Sequence, residues 1–90
     1  MATTIDDNNE CDLILNLSKL HTTALGDERI RRNLSLTCDD VGEWCGRKIL
    51  NSNATIKRVG KNWYVSVESY MITVNAYSYT IITAHMSKDI

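Results

Sequence analysis

The chain has 90 residues, 43% of them apolar and 23% charged, with a formal net charge of −1. That length excludes an eight-fold βα barrel and a complete dinucleotide-binding domain, and the composition is that of a globular domain rather than a disordered chain. The near-zero charge hides an uneven layout: residues 1–43 hold nine acids and four bases, whereas residues 44–90 hold two acids and six bases. Such asymmetry points weakly to a charged partner. No run of 18 apolar residues provides a membrane span, and the polar, acidic start is unlike a secretory signal, so a cytoplasmic location is expected. Cys11, Cys38 and Cys45 are odd in number and form no CxxC pair, which fits reduced thiols rather than a disulfide framework or a zinc site. A domain this small buries limited surface alone, so a homodimer is compatible with it.

Residues 1–9 read as a flexible tail, and residues 10–90 as one domain. From Glu10 the pattern turns helical: Leu13, Ile14, Leu17 and Leu20 fall on one face of a helix expected to end near His21. Gly26, Asp27 and Glu28 open a second helix over about 24–34, with Leu25, Ile30 and Leu34 inward and Arg31 and Arg32 solvated. Thr37 reads as the N-cap of a third helix, in which Val41, Trp44, Cys45, Lys48 and Ile49 share a face. Asn51, Ser52 and Asn53 end it.

The period then changes to two. Strands are expected over 54–59, 63–68, 71–76 and 79–86, with Gly60-Lys61-Asn62 as a turn. In the last strand, strict alternation puts Tyr79, Ile81, Thr83 and His85 on one face. Short connections favour an antiparallel meander, giving an α+β fold with two to three N-terminal helices on one face of a four-stranded sheet.

Three segments resemble a small bacterial family of domains of unknown function found in Firmicutes and related bacteria. The first is Leu20-His21-Thr22-Thr23-Ala24-Leu25-Gly26 with Arg29-Ile30 and Asn33-Leu34. The second is Gly60-Lys61-Asn62-Trp63-Tyr64-Val65. The third is Ile72-Thr73-Val74-Asn75-Ala76 with Ser78-Tyr79-Thr80-Ile81-Ile82-Thr83-Ala84-His85. The resemblance spans about residues 13 to 86 and implies the fold, with no activity attached. A looser resemblance, in element order, is to barnase, colicin nucleases and RelE-type toxins, which cleave RNA without a metal. It implies RNA as a ligand class at fold level alone.

Chemistry-bearing residues are few. His85 and His21 are candidate acid and base, since imidazole titrates near neutrality. His85 could equally just end a strand and hydrogen-bond to a neighbouring chain segment, and His21 could merely cap or pack. Arg29 and Lys61 are candidate charge stabilisers, against an ordinary ion pair for Arg29 and a solvated turn lysine for Lys61. Thr83 is a candidate phosphate-positioning hydroxyl beside His85. Lys57, Arg58, Tyr64 and Tyr79 interleave cations with aromatics, as nucleic-acid-binding sheets do, though aromatics favour strands anyway.

The expectation is therefore a small nuclease-like domain that binds or acts on RNA by metal-independent acid–base chemistry, with no cofactor. Whether it is an enzyme stays open. The alternative is a non-catalytic inhibitor of a larger protein or nucleoprotein complex from a mobile element, such as an anti-CRISPR protein or a toxin–antitoxin component. In that case Asp39, Asp40 and Glu43 would face a basic partner.

Overall fold

The structure, a computed structural model, describes residues 13–86. The expected tail, Glu10 and Cys11 lie outside the described residues. Residues 13–15 form a single helical turn that tightens into a 3-10 helix, Leu17–Lys19. The expected long first helix is thus cut short. Leu13 is fully buried and Leu17 and Leu20 pack on the core, whereas Ile14 is 42% exposed. The 3-10 winding takes Leu20 and His21 into extended backbone.

Helix α1, Ala24–Leu34, has the expected bounds. Thr23 caps it by accepting from the Gly26 N–H at 3.0 Å. Ile30 is buried and Leu34 half-buried, but Leu25 is 72% exposed, against expectation. Leu25 sits in the first turn, where Gly26 rather than Leu25 faces the sheet: a Cβ on Gly26 would lie 3.8 Å from the Ile81 carbonyl. Helix α2, Val41–Ile49, begins at Asp40, not near Thr37, because Asp40 Oδ1 accepts from the Glu43 N–H at 3.0 Å. It buries Val41, Cys45 and Ile49, while Trp44 stays half-buried and meets Tyr70 edge-on at 5.1 Å.

Arg31, expected to be solvated, ties the α1–α2 connection together. Its guanidinium donates to Asp27 Oδ1 (2.5 Å), to the Cys38 carbonyl and to the Asp39 carbonyl (3.1 Å). One planar fork satisfies three acceptors that the connection would otherwise leave to water.

The sheet is a four-stranded antiparallel meander in the order β1 (Thr55–Val59), β2 (Asn62–Val67), β3 (Tyr70–Asn75), β4 (Ile81–Met86). The β1–β2 loop is the two residues Gly60 and Lys61, with Gly60 at φ 61. Its position is one that glycine fills without strain. Trp63, Val65, Val67, Ile72, Val74, Ile81 and Ala84 form the helix-facing side of the core. Among the described residues, the helices pack on this face.

Strict alternation fails in β4. Thr73 pairs with Thr83 but Val74 pairs with Ile81, so Ile82 is an extra residue in a β-bulge. Ile81 and Ala84 therefore both turn inward, and Thr83 and His85 face the opposite side from Ile81.

Candidate functional site

Register fixes what lies on the sheet face away from the helices. One row crosses all four strands: Lys57, Tyr64, Thr73 and Thr83. A second runs Thr55, Ser66, Met71 and His85. Val59, Asn62 and Asn75 begin a third. No carboxylate stands on this face among the described residues. Thr73 is only 8% exposed, whereas Lys57 and His85 are exposed and Tyr64 is half-buried. The Tyr64 hydroxyl is 3.4 Å from Asn62 Nδ2.

The acidic surplus of residues 1–43 does not extend to the described helices. Residues 13–50 hold five acids (Asp27, Glu28, Asp39, Asp40, Glu43) and six bases (Lys19, Arg29, Arg31, Arg32, Arg47, Lys48). The acidic excess belongs to residues 1–12. From 54 to 86 the sole acid is Glu68, against Lys57, Arg58 and Lys61. Lys48 from α2 holds Glu68 at 2.5 Å, and Asn51 donates to it at 3.2 Å.

Of the four expected nucleic-acid residues, Lys57 and Tyr64 are direct cross-strand partners on the open face. Arg58 and Tyr79 lie on the other side, around Trp63: the Arg58 guanidinium is 5.7 Å from the indole ring, and the Tyr79 ring is 5.4 Å from it. Asp39, Asp40 and Glu43 do gather at the start of α2. Asp40 and Glu43 edge a groove of about 390 Å³ whose apolar wall is Leu17, Leu20 and Leu50.

The five expected catalytic residues are spread over the molecule. Thr83 and His85 are on the open face. Arg29 is exposed on α1, and Lys61 is exposed in the β1–β2 loop. His21 is at the opposite end of β4 from His85, five residues or roughly 17 Å away along the strand.

His21 has a partner that sequence reasoning missed. Its main chain forms a parallel bridge with Thr80: the His21 N–H donates to the Tyr79 carbonyl (3.2 Å), and the Ile81 N–H donates to the His21 carbonyl (2.8 Å). Its side chain continues the pairing. Nδ1 lies 2.9 Å from the Lys19 carbonyl, and Nε2 lies 3.1 Å from Thr80 Oγ1. Thr80 Oγ1 is 2.8 Å from Ser78 Oγ, which is 3.2 Å from Asn75 Oδ1. Asn75 Oδ1 also accepts from the N–H groups of Tyr77 and Ser78, both at 2.9 Å, in an Asx-turn. The Asn-Ala-Tyr-Ser run signals that turn in the sequence, but nothing local signals its link to His21.

No curated protein and no solved structure matches the chain. A family model described as a protein of unknown function, DUF3781, matches residues 14–85. The segments that carried the resemblance meet in space: the Leu20–Gly26 stretch joins the Ser78–Ile82 stretch at the His21–Thr80 bridge, and Asn33 donates to the Ala84 carbonyl at 3.2 Å. With the match covering most of its length, the chain belongs to the DUF3781 family.

Proposed function

We propose that the protein binds single-stranded RNA across the open face of its sheet. The observation that carries this reading is the row Lys57–Tyr64–Thr73–Thr83 on a face without a carboxylate. Tyr64 offers a π-face on which a base can stack, worth about 1–3 kcal/mol per base. Lys57, directly opposite on β1, can neutralise the adjoining phosphate, and the Thr83, Ser66 and Thr55 hydroxyls can take hydrogen bonds from or give them to phosphate and 2′-hydroxyl oxygens. The bound Glu68, neutralised by Lys48, is kept from repelling the strand.

The reading stops at binding. Acid–base cleavage requires two groups within reach of one phosphate, and His21 and His85 stand at opposite ends of β4. The inhibitor reading has less support, because the helical layer is charge-balanced and Asp40 is engaged as a cap.

Fluorescence anisotropy of a labelled oligouridine tests the proposal. Binding should weaken steeply with salt, and Tyr64→Ala should weaken it by about tenfold or more. Lys57→Ala should lower the salt slope by about one. Absence of binding by the full chain at low salt overturns the reading.

A further inference from the structure

We propose that Thr80 is a nucleophile for acyl transfer, with His21 as its general base and an activated carboxylic ester as the substrate class. The Lys19 carbonyl can only accept a hydrogen bond, so the neutral His21 ring carries its proton on Nδ1. Nε2 then presents its lone pair to Thr80 Oγ1 at 3.1 Å, and the Thr80 hydroxyl must be the donor. Ser78 Oγ lies 2.8 Å away on the other side, with its own proton directed to Asn75 Oδ1 at 3.2 Å. A hydroxyl aimed at an imidazole whose far nitrogen is fixed by an acceptor is the arrangement that activates hydroxyl nucleophiles. Here a main-chain carbonyl does the orienting.

Three further features support the assignment. The His21–Thr80 bridge fixes both residues by main-chain hydrogen bonds, so the pair does not depend on free side-chain rotation. His21 and Ser78 are exposed and Thr80 is half-buried, leaving the pair open to a substrate. The first turn of α1 lies against the Ile81 main chain, which brings the positive end of a helix next to the residue after Thr80.

In the reaction, Thr80 Oγ1 attacks the acyl carbon while its proton passes to His21 Nε2. The ester C–O bond breaks, and its electron pair leaves on the departing oxygen. The imidazolium returns the proton to that oxygen or to water, leaving an acylated threonine. A water deprotonated by His21 then adds to the acyl carbon, the acyl–Oγ1 bond breaks, and the imidazolium gives the proton back to Oγ1, releasing the acid and restoring the hydroxyl.

The test is exposure of the full chain to p-nitrophenyl acetate, followed by tandem mass spectrometry. Acetyl is expected on Thr80, with labelling lowered by roughly a hundredfold in His21→Ala. Thr80→Ser should keep the label at position 80, and Ser78→Ala should keep it on Thr80. Circular dichroism confirms that each variant is folded. Acetylation confined to lysines in the wild-type chain and in Thr80→Ser overturns the proposal. Equal Thr80 labelling in folded His21→Ala does the same.

Discussion

His21 and Thr80, 59 residues apart, are joined twice: their segments pair through two main-chain hydrogen bonds, and His21 Nε2 meets Thr80 Oγ1 at 3.1 Å. The pairing also lines part of the free edge of β4 with a second chain segment, which protects an edge that could otherwise recruit another chain. Tyr79, just before Thr80, adopts φ 61, a conformation costly for an aromatic residue, and its ring packs on Trp63 at 5.4 Å. Removing the hydroxyl in Thr80→Val should leave His21 Nε2 without its partner, while Ser78 Oγ keeps Asn75 Oδ1 and the Thr80 N–H. Urea denaturation should show a loss of about 0.5–1.5 kcal/mol. An unchanged midpoint would mean that the main-chain bridge alone holds the loop.

Further along the same edge, Asn33 of α1 donates to the Ala84 carbonyl at 3.2 Å. That contact locks the helix against β4. Asn33→Ala should cost about 1 kcal/mol and speed amide exchange in β4. Exchange that accelerates evenly over all four strands would argue against a local lock.

The β2–β3 turn holds two non-glycine residues at positive φ, Glu68 at 51 and Ser69 at 77. Two-residue loops of this kind favour Asn-Gly, because the left-handed conformation crowds an ordinary Cβ. Glu68 is retained there by Lys48 and Asn51, whereas Ser69 has no such tie among the contacts described. Ser69→Gly should therefore stabilise the protein, by about 1 kcal/mol, measured as a rise in the denaturation midpoint. Glu68→Gly should gain less or lose stability, since it gives up both helix contacts.

Burial, with a smaller contribution from nearby Cys38, pushes the Cys45 thiol up to about 12 from an ordinary value of 9.0. In the unfolded chain the thiol ionises first as pH rises, so its contribution to stability is intact below about 9 and is lost progressively towards about 12. The slope is about 1.4 kcal/mol per pH unit within that window. Between about pH 8 and pH 10, Cys45→Ala should lose less stability than the wild-type chain, although it begins lower because of the cavity. Equal losses would show that the thiol is not shielded.

Much of the fold is legible from periodicity. The 3.6 spacing of α1 and the alternation of Trp63, Val65 and Val67 survive in the structure with bounds close to those expected. The misread parts have physical causes. Leu25 is apolar but lies in a first turn where Gly26, not Leu25, is the residue turned toward Ile81. Thr37 is a good cap, yet Asp40 captures that role because Arg31 holds the preceding carbonyls. The bulge at Ile82 arises from β3–β4 pairing, and no local pattern announces it. The candidate site was half legible: Lys57 and Tyr64 follow from alternation and hairpin register, but the His21–Thr80 pair depends on a contact across nearly the whole described chain.

The most direct test of the central claim is amide chemical-shift mapping of the isotope-labelled chain titrated with a short oligouridine. The account predicts that shifts concentrate at Lys57, Tyr64, Thr73 and Thr83 and their row neighbours, with α1 and α2 unmoved. Shifts centred on the groove between Leu20 and Arg47, or none at all at saturating RNA, would contradict it.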